Sequence, residues 1–483
     1  MNCKTKFAAL LLPATAALTF SCNQPEQKVQ SADKTSMTKE TIEYEIKVER
    51  AAEAAIWAIP AVAVVDILTG IRRDLGGDVG DIIYFSKPMD SKHGFLTANN
   101  VTPYTNVILT LKDGPIVVEV PAATDKVGYF GTILDAWQLP VADVGPAGDD
   151  QGKGGKYLLL PPDYKGNVPT GYLVYRLNTL GVMLAFRPVA KEGVSNEDVA
   201  AYSQTLKTYR LADAANPPKN RYVDAFPKKW NTLPTYDFTY FTDLDYFIQT
   251  EPVQERDKVM MGLLASLGIE KGKPFNPDPE TKRAMMEGLQ RAWAKMQAYL
   301  VTPGKATLLF WNNRRWGTLV NLPVGQAELG FPFVTEDRIL IDERAGFYFY
   351  ATALPKVLGS GAYFLTGWRD QNDKLFDGKS TYQLNVPRNT PAKDFWSIIV
   401  YSMKTKGFIE GTPRIGISSK DMAKMKVNAD GSVDVYFAPK APAGQESNWI
   451  PTGEDFFLIF RLYGPEKQLF DKLWTLDDVE KVK

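Results

Sequence analysis

Phe395-Trp-Ser-Ile-Ile-Val-Tyr401, Ser432-Val-Asp-Val-Tyr-Phe437 and Phe456-Phe-Leu-Ile-Phe-Arg-Leu462 decide the fold. All three runs are rich in β-branched and aromatic residues. Clusters of Pro, Gly, Asn and Asp flank them, at Asn385-Val-Pro-Arg-Asn-Thr-Pro391, Asn428-Ala-Asp-Gly431 and Asn448-Trp-Ile450. This is the pattern of consecutive antiparallel strands. In the middle run Val433, Val435 and Phe437 point one way and Ser432, Asp434 and Tyr436 the other, which gives a strand with one wet face. The outer two runs are apolar almost throughout and suit strands covered on both faces. Gly431 is free to take the positive φ that the turn before the middle run needs.

Phe95 to Pro188 repeats the pattern. Asp113-Gly-Pro-Ile-Val-Val-Glu-Val-Pro121, Gly152-Lys-Gly-Gly-Lys-Tyr-Leu-Leu-Leu-Pro-Pro162 and Gly171-Tyr-Leu-Val-Tyr-Arg176 are strand-sized runs between Gly/Pro punctuation. Gly152 to Gly155 lacks the spacing of a phosphate-binding loop and reads as a turn. Between the blocks, Ser195 is a helix N-cap with Asp198 three residues on, and Asn216 to Tyr240 reads as a Pro-rich linker. Asp243 to Leu267 and Pro279 to Leu300 read as two further helices.

Ile42 to Arg72 is also helical in pattern. Its Ala51–Leu68 portion carries Glu53, Pro60 and Asp66, and charges at bilayer depth are expensive. A buried helix, kinked or broken near Pro60, is expected rather than a membrane span. The fold class is therefore mainly β (α+β): two β-sandwich or jelly-roll-like domains with an N-terminal helix and a helical connecting segment. The boundaries fall at 42–210 for the first β domain, 211–305 for the linker and helices, and 306–483 for the second β domain.

The first 22 residues read as an export signal. Lys4 and Lys6 precede an apolar Phe7–Phe20 region, and Leu18-Thr-Phe-Ser21-Cys22 resembles a bacterial lipobox whose leucine sits one place further from the cysteine than usual. Cleavage there would leave Cys22 as the lipidation site at the head of a flexible tether, 23–41, and anchor the protein in the cell envelope (periplasm or outer membrane). An ordinary secretory signal is the other reading. Cys3 and Cys22 are the only cysteines, so a matured chain has no internal disulfide. Lys+Arg and Asp+Glu both number 56, a balance that gives no reason to expect nucleic acid as partner.

Further motifs carry a family resemblance. Asn99-Asn-Val-Thr-Pro-Tyr104, Gly152-Lys-Gly-Gly-Lys-Tyr157 and Leu160-Pro-Pro162 make the first β block resemble the domain-of-unknown-function family 1254. Phe395-Trp-Ser397, Asn428-Ala-Asp-Gly-Ser432, Asn448-Trp449, Arg461-Leu-Tyr-Gly-Pro465 and Trp474-Thr-Leu-Asp-Asp478 make the last block, from about Ile341 to Glu480, resemble family 1214. The commoner form of the first domain has Asn-x-Asp-Thr-x-Tyr where this chain has Asn99-Asn-Val-Thr-Pro-Tyr104. The resemblance implies β-rich sandwiches joined by helices and no agreed chemistry.

No nucleophile–base set stands out. The one histidine, His93, sits in the polar stretch Asp90-Ser-Lys-His-Gly94 and reads as a surface-loop residue. Carboxylates for a glycosidase-like pair would come from Asp135, Asp143, Asp370, Asp377, Asp430 and Asp434, all placed where turns ordinarily carry acids. Asp370, Asn372, Asp373 and Asp377 space oxygens like a calcium loop but lack the bidentate Glu, so an Asx turn is the better reading and no cofactor is otherwise expected. The candidate ligand-binding set is polar and aromatic: Asn99, Asn100, Thr102, Tyr104 and Trp137 from one domain, with Trp396, Tyr401, Asn448, Trp449 and Arg461 from the other. Asn448 and Arg461 are the expected polar contacts, with Trp396 or Trp137 as floor. Arg461 lies in an apolar strand and needs a partner. A carboxylate against it makes it structural, whereas an unpaired head facing a cavity marks an anion or carboxylate site. The chain is thus expected to be a ligand-binding or assembly module of the envelope, open to a glycan, an apolar small molecule or a second copy as partner. The alternative is a carboxylate-based hydrolase, of glycoside or ester type, on an envelope or polymeric substrate.

Overall fold

The computed structural model of the chain describes residues 38–320, 333–357 and 361–482. The expected signal, Cys22 and most of the expected tether lie outside them. Four sheets and a set of helices follow from the patterns above. A six-stranded sheet runs in the order Tyr222–Asp224, Ile82–Tyr84, Thr105–Thr110, Gly181–Ala190, Val127–Asp135 and Pro140–Val144. A four-stranded sheet of Leu173–Arg176, Gly155–Leu160, Ile116–Val120 and Lys207–Arg210 closes over one face of it. Val107, Leu109, Val118, Leu159 and Leu184 fill the space between them. This is the first sandwich.

The second sandwich uses the stretches that opened the sequence. Trp316–Thr318, Ala362–Gly367, Phe456–Pro465, Ala392–Ser402 and Gly416–Ser418 form a five-stranded sheet. Trp449–Pro451, Val433–Ala438, Tyr382–Val386 and Glu480–Lys481 form the four-stranded sheet that packs on it. Val433, Val435 and Phe437 enter their shared core, as the period-two pattern requires. Gly431 takes φ 84° in the turn that Asn428 closes.

A third cluster lies between the sandwiches, and strand alternation feeds it. Leu458, Phe460 and Leu462 point into the second sandwich, whereas Phe457 and Ile459 point out of it toward this central cluster. Ile398 and Val400 divide from Ile399 and Tyr401 in the same way. That is why both runs are apolar on both faces. In the first sandwich Ile108 and Met183 turn outward to meet the same cluster. Arg461 follows Phe457 and Ile459 on the outward face, paired in register with Phe364 and Ser397.

The helices complete the central cluster. The helix Lys39–Gly70 runs through Pro60 without the expected break. A proline removes one helix hydrogen bond and orphans a carbonyl a turn earlier. The orphan is Ile56 O, and carbonyls near it gain outside donors: Tyr240 Oη to Ala55 O (2.7 Å), Arg344 Nη1 to Trp57 O (3.0 Å) and Gln138 Nε2 to Pro60 O (2.9 Å). The Lys39–Leu75 stretch is long and apolar enough to cross a membrane, yet most of its apolar portion is buried inside the fold, with Ala54, Ala58 and Ala61 fully buried. Pro279–Val301 packs closely on it. A Cβ at Gly288 would stand 2.5 Å from Val48 O, so only glycine permits that approach. Tyr44–Lys483 forms one unit.

Two expectations are corrected here. Asn216–Tyr240 is no loose linker, because Tyr222–Asp224 pairs in parallel with Ile82–Tyr84 and Trp230 is fully buried, stacked on Phe85. Asp243–Leu267 is two helices, Thr239–Thr250 and Lys258–Ala265, since Pro252 forces Glu251 into extended geometry. The Ser195 cap is as read, accepting the Asp198 amide at 3.1 Å; the sequence reading named no cap for Pro279–Val301, where Asp278 accepts the amides of Glu280 and Thr281 at 2.9 Å.

Candidate functional site

Where the two sandwiches meet, they leave a cavity of about 150 Å³. One wall is the outward face of the six-stranded sheet, with Asn106, Met183, Ala185 and Arg187 at alternate positions of neighbouring strands. The opposite wall is the outward face of the five-stranded sheet, with Phe364, Ile459 and Arg461. Tyr104, Phe130 and Phe347 add ring surface, and the chain from Ala351 to Pro355 closes one side. The lining is mostly apolar. Phe130, Arg187 and Phe364 remain partly exposed, so the cavity approaches solvent on their side.

Arg461 is the exceptional group. It is 2 % exposed, and its Nη2 donates to Thr97 O at 2.7 Å and to Ala98 O at 3.3 Å. Its carbon lies 5.1 Å from the Phe364 ring centre and 5.4 Å from that of Tyr401. Tyr401 donates its hydroxyl to Ala98 O beside the guanidinium. Nη1 is buried with no hydrogen-bond partner, and no carboxylate pairs with the group among the described residues. Asn106, 8 % exposed on the facing wall, likewise leaves its Nδ2 unpartnered. Buried donors without acceptors are uncommon and costly.

The turn beneath the cavity explains Asn99, Thr102 and Tyr104. Asn99 Oδ1 accepts from the amides of Val101 (2.9 Å) and Thr102 (2.8 Å), and from Thr102 Oγ1 (3.1 Å). Its Nδ2 donates to Tyr104 Oη at 2.7 Å, which holds the Tyr104 ring against the cavity. Arg187 then lies over that ring, 5.4 Å from its centre.

The remaining candidates lie elsewhere. Asn100 lines a separate polar cleft of about 380 Å³ with Arg414, Lys420 and Asp421. Trp137 is wedged between Trp57 and Phe247 in the central core, with ring centres 4.7 and 4.6 Å away. Trp396 stacks on Phe460 inside the second sandwich. Asn448 ties Lys426 N and O, both at 2.8 Å, to Asp434 O at 3.0 Å, and Trp449 Nε1 donates to Ala438 O. None of these five lines the cavity, whose aromatic lining residues are Phe95, Tyr104, Phe130, Phe347, Tyr363 and Phe364 instead.

The acids hold backbone in place. Asp135 accepts the Trp137 and Leu139 amides, and burial, opposed by those bonds, lifts its carboxyl to about 6. Asp143 accepts Thr132 Oγ1 and the amides of Lys356 and Val357, which pins the segment after the cavity wall. Asp430 and Asp434 take Ser432 and Asn385. In the calcium-like stretch Asp370 Oδ1 accepts the amides of Asn372 and Lys374, and Asp373 pairs with Arg315 at 3.4 Å. Asp377 accepts Ser380, Tyr382 and Lys481, which outweigh burial and hold its carboxyl below the ordinary range. His93 corrects the surface-loop reading. It is 1 % exposed against Phe85 and Phe226, its Nδ1 accepts the Asp90 amide, and burial lowers its pKa.

Three site residues escaped the sequence reading. Arg187 and Asn106 carried a usable signal, since Met183, Ala185 and Arg187 alternate against the core residues Val182, Leu184 and Phe186. Gln138 carried none. Fully buried at φ 61°, it donates to Pro60 O and accepts from Thr352 Oγ1 (2.6 Å) and the Ala353 amide (3.2 Å). Ala353 (φ 57°) and Thr97 (φ 40°) line the cavity in left-handed backbone too, a conformation that persists only when its surroundings enforce it.

Comparison with known proteins agrees with this architecture. No curated protein matches the chain. The VPA0106 protein from Vibrio parahaemolyticus superposes with a TM-score of 0.52 at 17% identity, over 90% of this chain and 100% of that one, which shows a shared fold. An uncharacterized protein from Burkholderia cenocepacia aligns over 91% of this chain and 96% of its own, at 12% identity and a TM-score of 0.39. Residues 79–212 match the family described as Protein of unknown function (DUF1254), and residues 360–467 match Protein of unknown function (DUF1214). The chain thus carries a stretch that matches DUF1254 followed by one that matches DUF1214.

Proposed function

We infer that the protein is a small-molecule-binding protein of the cell envelope, with its ligand seated in the cavity between the two sandwiches. One observation carries this reading: a largely apolar cavity, walled by both domains, whose lining residues include Arg461 and Asn106, each with a buried N–H that has no protein acceptor. Sites at domain interfaces, apolar with a few placed polar groups, are the usual form of ligand pockets. At about 150 Å³ the space suits one ring or a short branched chain, since an apolar cavity of about that volume holds one benzene.

Toluene titrated into the purified protein tests the reading. It should bind and raise the melting temperature, and Ala185→Leu, which fills the cavity from the first sheet, should abolish both effects while the protein stays folded. Equal binding to wild type and A185L would place the site elsewhere. The envelope address rests on the N-terminal signal. Labelled palmitate should enter the wild-type chain and be lost in Cys22→Ala; incorporation that persists would remove lipidation at that residue.

A further inference from the structure

We propose that the ligand of this cavity is a small monocarboxylate with an apolar, ring-sized body, its carboxylate held by Arg461 and its body by the cavity rings. The proposal rests on the reading of the cavity as a ligand site and names the chemistry of its occupant.

Three features converge on it. Among the described lining residues three carry an unpartnered buried polar atom; Tyr363 turns its ring into the second sandwich core, and the other two, Arg461 Nη1 and Asn106 Nδ2, are N–H donors from opposite walls, on side chains more than nine-tenths buried. A ligand that satisfies them presents acceptors rather than donors, and a carboxylate offers two oxygens with no donor of its own. The second feature is charge. A guanidinium stays protonated in proteins, and taken out of water without a counter-ion it is unfavourable. Arg461 has backbone carbonyls, the Tyr401 hydroxyl and ring faces but no carboxylate among the described residues, so an anionic ligand supplies the missing charge. Charge-assisted bonds from arginine to a carboxylate are among the stronger ones proteins make.

Size is the third feature. Once one carboxylate is placed, about 150 Å³ leaves room for a ring or a chain of a few carbons, which excludes sugars in chains, nucleotides and long acyl tails as full occupants. Tyr104, Phe130, Phe347 and Phe364 offer ring faces and edges to that body. Arg187, partly exposed over Tyr104 and Phe130, adds a second positive charge where the cavity nears solvent. It is placed to draw an anion in rather than to hold it.

Calorimetry on the full chain with benzoate, its neutral isostere benzamide, and toluene separates these ideas. Benzoate is expected to bind about ten- to a hundredfold more tightly than benzamide, the range a charged hydrogen bond supports. Arg461→Met should bring benzoate down to the benzamide level. Arg461→Lys, which keeps the charge but not the fork, should fall between, and Asn106→Leu should weaken benzoate in a protein whose arginine is intact. Toluene binding with benzoate no better than benzamide overturns the carboxylate and leaves the cavity reading standing. A benzoate preference that survives both R461M and R461K places the anion elsewhere and overturns the proposal as well. If none of the three probes binds, the cavity reading and this inference fall together.

Discussion

If Arg461 is kept for a ligand rather than for the fold, removing its charge should cost the empty protein little. Arg461→Met preserves an unbranched chain of similar reach. It gives up the bonds to Thr97 O and Ala98 O, of which the first is short and the second long at 3.3 Å. With ring contacts to Phe364 and Tyr401 these amount to about 4–6 kcal/mol. Against that stands the desolvation of an unpaired buried guanidinium, itself several kcal/mol. Ala98 O also keeps the Tyr401 hydroxyl as donor. The two sides nearly cancel, and the expected change in unfolding free energy is within about 2 kcal/mol. Half of a buried ion pair would behave differently, because its loss strands the partner charge at about 3–5 kcal/mol. Urea denaturation of ligand-free wild type and R461M, followed by tryptophan fluorescence, makes the comparison. A destabilisation beyond about 3 kcal/mol would mean that the arginine knits the two sandwiches together and would refute the ligand argument.

Gln138→Leu should destabilise by about 3–5 kcal/mol, because it strands Pro60 O, Thr352 Oγ1 and the Ala353 amide in a buried place; a loss under about 1 kcal/mol in the same urea assay would show that the wall does not depend on this hub. Lys406 is 2 % exposed and burial lowers its pKa to about 7, so the folded state binds fewer protons than the unfolded chain above that pH. Stability should therefore rise from about pH 7.5 to 9.5, by up to about 1.4 kcal/mol per unit, and flatten in Lys406→Met; an unchanged slope in that variant would assign the rise to other groups.

The sheets were legible because their chemistry is local. Alternation in Ser432–Phe437 and two-faced runs at Phe395–Tyr401 and Phe456–Leu462 each report which sides are covered, and the sandwiches follow. Arg461 could be singled out for the same reason, as a charge interrupting a two-faced apolar strand. What the sequence hid is set by distant partners. Pro60 predicts a broken helix until donors from Tyr240, Arg344 and Gln138 are known, three residues spread over two hundred positions of chain. Trp137 and Trp396 looked like platforms because an aromatic beside a polar turn reads the same in a core as in a pocket. Asn448 and Trp449 bond to backbone of their own sandwich, a role that a sequence cannot tell from ligand contact. Gln138 owes its place to a strained turn that no local pattern announces.

The central claim is that the cavity between the sandwiches holds a small carboxylate on Arg461. A crystal structure of the protein grown with benzoate tests it most directly. Planar density is expected between the two outward sheet faces, with a carboxylate oxygen within about 3 Å of Arg461 Nη1. Benzoate bound outside the cavity, or a cavity left empty while benzoate occupies the crystal, would contradict it.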